Sequence, residues 1–208
     1  MPINLNNPRL YLASRSPRRR ELLAQIGIQF DTIVFRDAPR EDRELDETPH
    51  AGEAPIDYVQ RVARAKAEHG WRIVGGRKLL SRPVLAADTT LEFDGEIIGK
   101  PANAADARAI LQRLSGHTHR VLTALAVAFE SRLESVLSVS EVSFGLIEEA
   151  EIRRYVATGE PMDKAGAYGI QGRAGMFVEH LAGSFTGVMG LPVCETGELL
   201  KRFGFRVL

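Results

Sequence analysis

The stretch LYLASRSPRRRELLAQIG, from Leu10 to Gly27, predicts a strand, a sharp break and a helix in direct succession. Its first four residues are an apolar run typical of a strand. Ser16 is a good N-cap, and Pro17 suits the first helical position, where no backbone N–H is needed. Apolar residues then recur at helical spacing as far as Gly27, which is a typical C-terminal stop.

The basic residues of this stretch crowd the first turn of the predicted helix. Arg18, Arg19 and Arg20 stand where a helix presents bare N–H groups and the positive end of its dipole. Exposed cations there destabilise a helix by roughly 0.3–1 kcal/mol each. Serine hydroxyls, free amides and guanidinium groups together suit a phosphate or carboxylate. The alternative is a solvated basic turn with a capping serine, and this stretch alone leaves both open.

The composition bounds the class of protein. A chain of 208 residues, 44% hydrophobic and 26% charged, fits one domain or two small lobes that share a sheet. Its 27 basic and 27 acidic residues balance, which disfavours binding to nucleic acid or to a membrane surface. The single Cys194 excludes an intrachain disulfide and is expected to be a small buried residue. We find no secretory segment and no membrane-spanning run, so we expect a cytoplasmic protein.

A lysine stands on the apolar face of the next predicted helix, Ile56 to His69, which Gly70 is expected to end. Lys66 follows Val62 at i+4, on the stripe that should face the core. Such a side chain either extends past the core to solvent or reaches into a cleft. From the helical pattern alone we favour the first interpretation, in which Lys66 extends past the core to solvent.

An acidic residue interrupts the predicted strand Val84 to Phe93, which a tight Asp94-Gly95 turn follows. By strand parity Asp88 shares a face with Thr90 and Glu92. A carboxylate in a central strand is paired, bound to metal or exposed to a cleft, because burying it bare is costly. We therefore interpret Asp88 as functional.

Other segments follow the same rules of periodicity. We predict strands at 29–35, 120–129, 133–144, 176–181 and 205–208, helices at 104–114, 148–157 and 195–203, and a charged loop at 36–55 that includes Glu41, Asp42 and Glu44. His117 and His119 could form a metal pair, but without a third nearby ligand we favour polar strand-edge residues. The loop Gly159 to Gly175 contains five glycines, and loops of this length are usually functional.

The candidate functional residues, taken together, indicate a phosphate substrate. Neither a Walker loop nor a dinucleotide-binding GxGxxG sequence is present. Basic anchors, inward carboxylates and glycine-rich loops suit a polyphosphate handled with a divalent metal. Seven blocks of the chain, in order, resemble the Maf family of nucleoside triphosphate pyrophosphatases: SRSPRRRELL, DET at Asp46, ADTT at Ala87, GKP at Gly99, LSGHTHRVLTALA at Leu114, DKAGAYGIQG at Asp163 and GSFTGVMGLP at Gly183.

The resemblance implies a fold and a reaction. It implies a single α/β domain over residues 1–208, with a long mixed sheet flanked by helices, two lobes with a cleft, and kinship to the inosine triphosphate pyrophosphatases. The reaction implied is cleavage between the α and β phosphates with Mg²⁺ or Mn²⁺, which yields a nucleoside monophosphate and pyrophosphate. Ala-Asp-Thr at Ala87 and the Tyr-Gly-Ile-Gln run at Tyr168 are similar to the branch associated with dTTP and UTP.

The same resemblance assigns roles to individual residues. Asp88 matches the proposed proton acceptor, and Glu47 with Asp88 would hold the metal, with Glu44 and Glu41 as alternatives to Glu47. The roles of proton acceptor and metal ligand compete for Asp88, and the sequence does not separate them. The expected substrate-binding and specificity residues are Ser14, Arg18, Lys66, Thr89, Lys100 and Gln171. Because parity places Thr89 opposite Asp88, both reach one ligand only if the strand ends or bulges there.

Two other functions remain open from the sequence. One is a non-enzymatic, nucleotide-sensing regulator of cell division. The zero net charge disfavours a DNA-binding role for such a regulator. The other is a 7-methyl-GTP pyrophosphatase, whose branch typically carries Ser-Asp-Gln where this chain has Ala87-Asp88-Thr89. A homodimer is possible and is implied by the resemblance alone.

Overall fold

The computed structural model describes residues 8–35 and 45–207. Within them the strands are β1 Arg9–Leu12, β2 Gln29–Thr32, β3 Val84–Phe93, β4 Glu96–Ile98, β5 Thr118–Phe129, β6 Arg132–Phe144 and β7 Val178–Ala182. The helices are α1 Pro17–Gln25, α2 Pro55–Gly76, α3 Ala104–Leu114, α4 Glu149–Val156, α5 Phe185–Val188 and α6 Val193–Lys201. Short 3₁₀ turns at Glu160–Asp163, Ala165–Ala167 and Arg173–Phe177 shape the glycine-rich loop.

The strands form one mixed sheet in the order β2-β1-β3-β5-β6-β7, and β4 pairs with β3. β1 runs parallel to β2 and β3, whereas the other pairs are antiparallel. β5 pairs with β3 from Val84 to Glu92, so β1 and β4 share the opposite edge of β3. The mixed α/β sheet flanked by helices is confirmed.

Three apolar clusters pack around this sheet. One lies at the β4 end, between α3, α4 and the glycine-rich loop, and includes Leu91 and Tyr168. The other two lie on opposite faces of the β1 end, one against α1 and α6 and one against α2. Ala87 belongs to the β1 end and Leu91 to the β4 end. Asp88 and Thr89 therefore stand where β3 passes from one end of the core to the other.

Local signals placed α1 correctly. Ser16 Oγ accepts a hydrogen bond from Arg19 N, Pro17 begins the helix, and Gly27 follows its end with a φ of 75°. Gly70, in contrast, does not end α2, which continues to Gly76. A Cβ at Gly70 would stand 2.7 Å from Val84 Cγ1, so this glycine permits close packing of helix on strand.

Other expectations need correction. Residues 205–207 form no strand, residues 173–177 form a 3₁₀ turn before β7, and Cys194 is exposed because it lies on the outer side of α6. Glu41, Asp42, Glu44 and Leu208 lie outside the described residues. None of the described helices has the length and apolarity needed to cross a membrane.

Candidate active site

Two carboxylates converge on one ammonium group at the middle of β3. Lys66 Nζ donates to Glu47 Oε2 and to Asp88 Oδ1, at 2.8 Å in both cases. The exposed side-chain fraction is 13% for Lys66 and 12% for Asp88, against 50% for Glu47. Lys66 therefore reaches the site rather than extending past the core to solvent, and Glu47 approaches it from the solvent side.

α2 holds the segment that carries Glu47. Tyr58 Oη donates to the Glu47 carbonyl at 3.0 Å, and the Arg61 guanidinium donates to the carbonyls of Asp46 and Thr48. Arg61 also forms a two-point ion pair with Glu53. Burial first, and then the Asp88 and Glu47 carboxylates, raises the pKa of Tyr58 to about 12. Its hydroxyl therefore remains a hydrogen-bond donor at neutral pH, and the segment is fixed at several points.

The edge of β3 that faces away from β5 is open between β1 and β4. Pairing with β1 ends at Leu85, and pairing with β4 begins at Leu91. Arg19 occupies this gap, because its Nη1 donates to the Ala87 carbonyl at 2.7 Å and its Nε to the Gly190 carbonyl at 2.8 Å. Burial lowers the pKa of Arg19, and the Asp88 carboxylate opposes that change. A guanidinium group therefore continues the edge pairing where β1 stops.

Thr89 belongs to a chain of hydroxyl groups on the other face of β3. Arg19 Nη2 donates to Thr89 Oγ1 at 3.1 Å, and Thr123 Oγ1 donates to the Gly187 carbonyl at 2.8 Å. The two threonine oxygens lie 3.0 Å apart. Since the Thr123 proton is used on Gly187, Thr89 must donate to Thr123. The Thr89 hydroxyl proton is therefore already used in a hydrogen bond, and toward a ligand this hydroxyl can act only as an acceptor.

The remaining predicted residues surround this centre without joining it. Ser14 Oγ accepts from Ser16 N at 3.2 Å at the start of α1, and Arg18 Nη1 lies 3.6 Å from Asp163 Oδ2 of the glycine-rich loop. Lys100 and Gln171 are exposed, and neither contacts Asp88. The structure thus brings together Glu47, Lys66 and Asp88 and leaves the other predicted side chains at the rim.

Packing inside the glycine-rich loop is tight. Glu160 accepts from Tyr155 Oη at 3.1 Å and from Arg173 N at 3.3 Å. A Cβ at Gly172 would stand 2.1 Å from Glu160 Oε1, so a larger residue there would displace the Glu160 carboxylate. Burial would raise the pKa of Asp163, but the hydrogen bond from Lys164 and the nearby charges leave it lowered. The loop is ordered by internal polar contacts as well as by its turns.

The predicted break in β3 does not occur. The register between β3 and β5 runs without a shift from Val84 to Glu92, with Asp88 opposite Ala124 and Thr89 opposite Thr123. The two side chains stay on opposite faces, and the strand presents an open edge in place of a bulge. The prediction of a strand end or bulge was therefore wrong.

Sequence reasoning missed the roles of three polar residues. Arg19 was grouped with its basic neighbours, and Thr123 was taken as an ordinary strand residue. His119 was assigned to a strand edge, but it is buried and bonded to Tyr168. The available signal was the spacing of polar residues in HTHRVLT, residues 117–123. By strand parity it places His119 and Thr123 on one face of an otherwise apolar strand.

The two carboxylates that contact Lys66 are suitable ligands for a divalent metal. Among the described residues no three His, Cys, Asp or Glu side chains gather into a metal-binding group. Glu47 and Asp88 nevertheless direct one oxygen each at a single cation. Mg²⁺ is typically bound through one or two carboxylates, with phosphates and water completing its ligands. Glu47 and Asp88 therefore match the number of carboxylates that a protein usually supplies to Mg²⁺.

Comparison with known proteins identifies the family. The model of the family described as "Maf-like protein" matches residues 9–203. The chain belongs to the Maf family.

Similar curated proteins span the chain almost completely. One from Dechloromonas aromatica, named "dTTP/UTP pyrophosphatase", is 74% identical over 200 residues, 96% of this chain and 100% of that protein. Another of the same name from Aromatoleum aromaticum is 60% identical and covers 95% of this chain and 96% of its own length. A solved structure described as "The structure of the Staphylococcus aureus Ham1 protein" matches 65% of this chain and 71% of that one, with 14% identity and a TM-score of 0.45.

Proposed function

We propose that this Maf protein hydrolyses dTTP and UTP to the nucleoside monophosphate and pyrophosphate. The observation that carries the proposal is the convergence of Glu47, Lys66 and Asp88 on the face of β3 that α2 covers. Inward carboxylates beside a cation suit hydrolysis of a phosphoanhydride better than binding alone. The names of the relatives from Dechloromonas and Aromatoleum support the same substrate pair.

The phosphate end of the mechanism uses charged side chains. Arg18, Lys66 and Lys100 bind the triphosphate, with the guanidinium fork suited to paired oxygens and each lysine acting as a point charge. Ser14 adds a hydroxyl at the start of α1. Asp88 accepts a proton from water as the water oxygen bonds to the α-phosphorus. The bond from phosphorus to the bridging oxygen breaks, and pyrophosphate leaves with that electron pair.

Glu47 and Asp88 are the residues that would hold Mg²⁺ or Mn²⁺. When bound there, the metal offsets negative charge on the phosphate oxygens. Lys66 must move from between the two carboxylates toward the phosphates, since its ammonium group lies against both of them. The same lysine thus neutralises the carboxylates in the free protein and binds the anionic substrate afterwards.

The base end of the mechanism uses neutral hydrogen bonds. Thr89 can offer a base only an acceptor, because its proton is used on Thr123. Thymine and uracil present an N3–H donor, whereas cytosine has a bare N3 in its place. The Gln171 amide both donates and accepts, so it complements the adjacent carbonyl groups. A wrong base leaves polar groups of the site unpaired, and this loss selects against that base.

The experiment is pyrophosphate release from dTTP, UTP, CTP, ATP, GTP and 7-methyl-GTP with Mg²⁺ or Mn²⁺. We expect dTTP and UTP to be preferred, and we expect Gln171→Ala to weaken that preference while leaving metal binding unchanged. A Gln112→Ala variant on the exposed side of α3 is the control. An unchanged nucleotide profile in Gln171→Ala contradicts its role in base selection.

The same assay decides between this proposal and its alternatives. A nucleotide-sensing regulator would bind nucleotides without releasing pyrophosphate from any of them. Preferred release from 7-methyl-GTP would indicate the other branch, which Thr89 and Gln171 disfavour. The possible homodimer and the cytoplasmic location remain predictions.

A further inference from the structure

A buried pair of polar side chains joins the sheet to the glycine-rich loop. His119 of β5 and Tyr168 of the loop are 2% and 5% exposed. His119 Nε2 and Tyr168 Oη lie 2.8 Å apart. Phe144 packs edge-to-face on both rings, with centroids 4.9 Å from His119 and 4.8 Å from Tyr168. Three aromatic rings therefore enclose a single side-chain hydrogen bond.

Both members of this pair are neutral at neutral pH. Burial lowers the pKa of His119 to about 4 and raises the pKa of Tyr168. His119 Nδ1 has no hydrogen-bond partner among the described residues. The imidazole thus depends on the Tyr168 hydroxyl for its hydrogen bonding, and losing that hydroxyl would leave a buried polar group unpaired.

The loop is also docked immediately before Tyr168. Gly166 N donates to the Gly99 carbonyl at 3.0 Å, next to Lys100. A Cβ at Gly166 would stand 2.3 Å from Leu91 Cδ1, so the loop backbone lies directly on β3. Ala167 adopts a φ of 58°, which a non-glycine residue holds only where its surroundings impose it.

The segment between Tyr168 and Gln171 is short and tightly packed. Only Gly169 and Ile170 stand between Tyr168 and Gln171, and both are buried. A Cβ at Gly169 would stand 2.8 Å from Lys164 Cε, so this backbone is packed against the lysine stem. A shift of Tyr168 would therefore pass directly to Gln171.

We propose that His119 and Tyr168 are positioning residues that hold the Gln171 side chain in the position required to select the nucleobase. The inference rests on the proposed function, because it assigns to the pair the placement of the base-reading amide. His119 lies on the same face of the sheet as Thr123, which orients Thr89. One strand, β5, thus supports both sides of the base site without contacting the base.

The test compares nucleotide selectivity in Tyr168→Phe and in wild type. The variant keeps the ring against Phe144 and removes only the hydroxyl. A neutral hydrogen bond contributes about 0.5–1.5 kcal/mol, so we expect the ratio of kcat/KM for dTTP to that for CTP to fall roughly 2- to 13-fold. We expect kcat for dTTP to stay within about threefold of wild type, because Asp88 and Lys66 are untouched. Tyr11→Phe, at a buried tyrosine of β1, is the matched control and should keep the wild-type ratio.

A double variant, His119→Leu with Tyr168→Phe, covers the case in which the single variant is unstable. Replacing both partners by apolar groups leaves no unpaired buried atom, which can be nearly neutral for stability. We expect the double variant to fold and still to show the reduced ratio. A wild-type ratio in this variant would overturn the inference, as would an equal fall in kcat/KM for every nucleotide, which indicates packing alone.

The outcomes also separate this inference from the proposed function. No pyrophosphate release from any nucleotide by wild type means that the proposed function fails. If Gln171→Ala reduces the preference for dTTP, but Tyr168→Phe and the double variant both keep the wild-type preference, only the positioning role fails.

Discussion

Asp88 and Thr89 are neighbours on β3, yet the two faces of the strand surround them with opposite kinds of chemistry. Asp88 faces α2 and shares the Lys66 ammonium with Glu47. Thr89 faces a chain of neutral hydroxyls that ends at the Gly187 carbonyl. Ionic contacts at a partly exposed site exchange readily with phosphate and metal, whereas buried neutral hydrogen bonds hold their geometry. The comparison indicates an adaptable phosphate end and a rigid base end.

The charged face should carry the largest effect on turnover. In Asp88→Asn the proton acceptor is lost while the side chain keeps its shape. We expect pyrophosphate release from saturating dTTP to fall about 10²- to 10⁴-fold, with an unchanged circular dichroism spectrum. Asp94→Asn, in the exposed turn after β3, is the control. An Asp88→Asn variant that keeps more than half of the wild-type rate would remove Asp88 from the mechanism.

Acid should weaken the fold through the neutral face. The folded-state pKa of His119 is about 4, below its ordinary 6.5, so between these values the unfolded chain binds more protons. The free energy of unfolding should therefore decrease as the pH falls from 6.5 to 4, by about 3 kcal/mol at most for this group. Urea unfolding should show a flatter pH dependence for His119→Leu than for wild type. His117→Leu, at an exposed histidine, should leave the wild-type slope, and parallel curves for His119→Leu would contradict the prediction.

Breaking the hydroxyl chain should cost stability. Thr123→Val keeps the shape of the side chain but leaves Thr89 without its acceptor and Gly187 without its donor. Each buried group left unsatisfied costs about 1–3 kcal/mol, so for two groups we expect a loss of at least about 2 kcal/mol in urea unfolding. Thr118→Val removes an exposed hydroxyl contact with Ser143 and should change stability by less than about 0.5 kcal/mol. Equal effects of the two variants would show that the chain is not a rigid element.

Removing the internal cation should strengthen metal binding to the free protein. In Lys66→Met the two carboxylates lose the ammonium group between them, and the site becomes more negative. We expect Mn²⁺ to bind about tenfold more tightly without nucleotide, as measured by calorimetry. Lys100→Met, whose side chain contacts neither carboxylate, should keep the wild-type Mn²⁺ affinity. Unchanged or weaker Mn²⁺ binding in Lys66→Met would mean that Glu47 and Asp88 do not form the metal site.

The elements of secondary structure could largely be predicted because their signals are local. Ser16 and Pro17 set the start of α1, and Asp94 with Gly95 set the turn after β3 through their positive φ angles. Gly70 misled the prediction, since its role is close packing against Val84 rather than termination. The role of Gly70 thus depends on a contact with a strand that begins fourteen residues further along the chain.

The candidate site could be predicted only in part. Motif resemblance and the cost of burying a charge singled out Asp88, and the structure places Lys66 and Glu47 beside it. His119 was misjudged, because its partner Tyr168 lies forty-nine residues away and no local pattern indicates that contact. Arg19 was hidden for the same reason, since its acceptors are carbonyls of Ala87 and Gly190.

The sequence by itself determined the helix caps, the turns, the strand that carries Asp88 and the resemblance to the Maf family. These follow from backbone sterics, side-chain periodicity and residue types, which act over a few positions. Only the tertiary structure decided that β1 stops short beside β3, that Arg19 fills the open edge, and that β5 supports the glycine-rich loop. Such contacts depend on the order of the strands in the sheet, and the free energy that selects this order is distributed over the whole core.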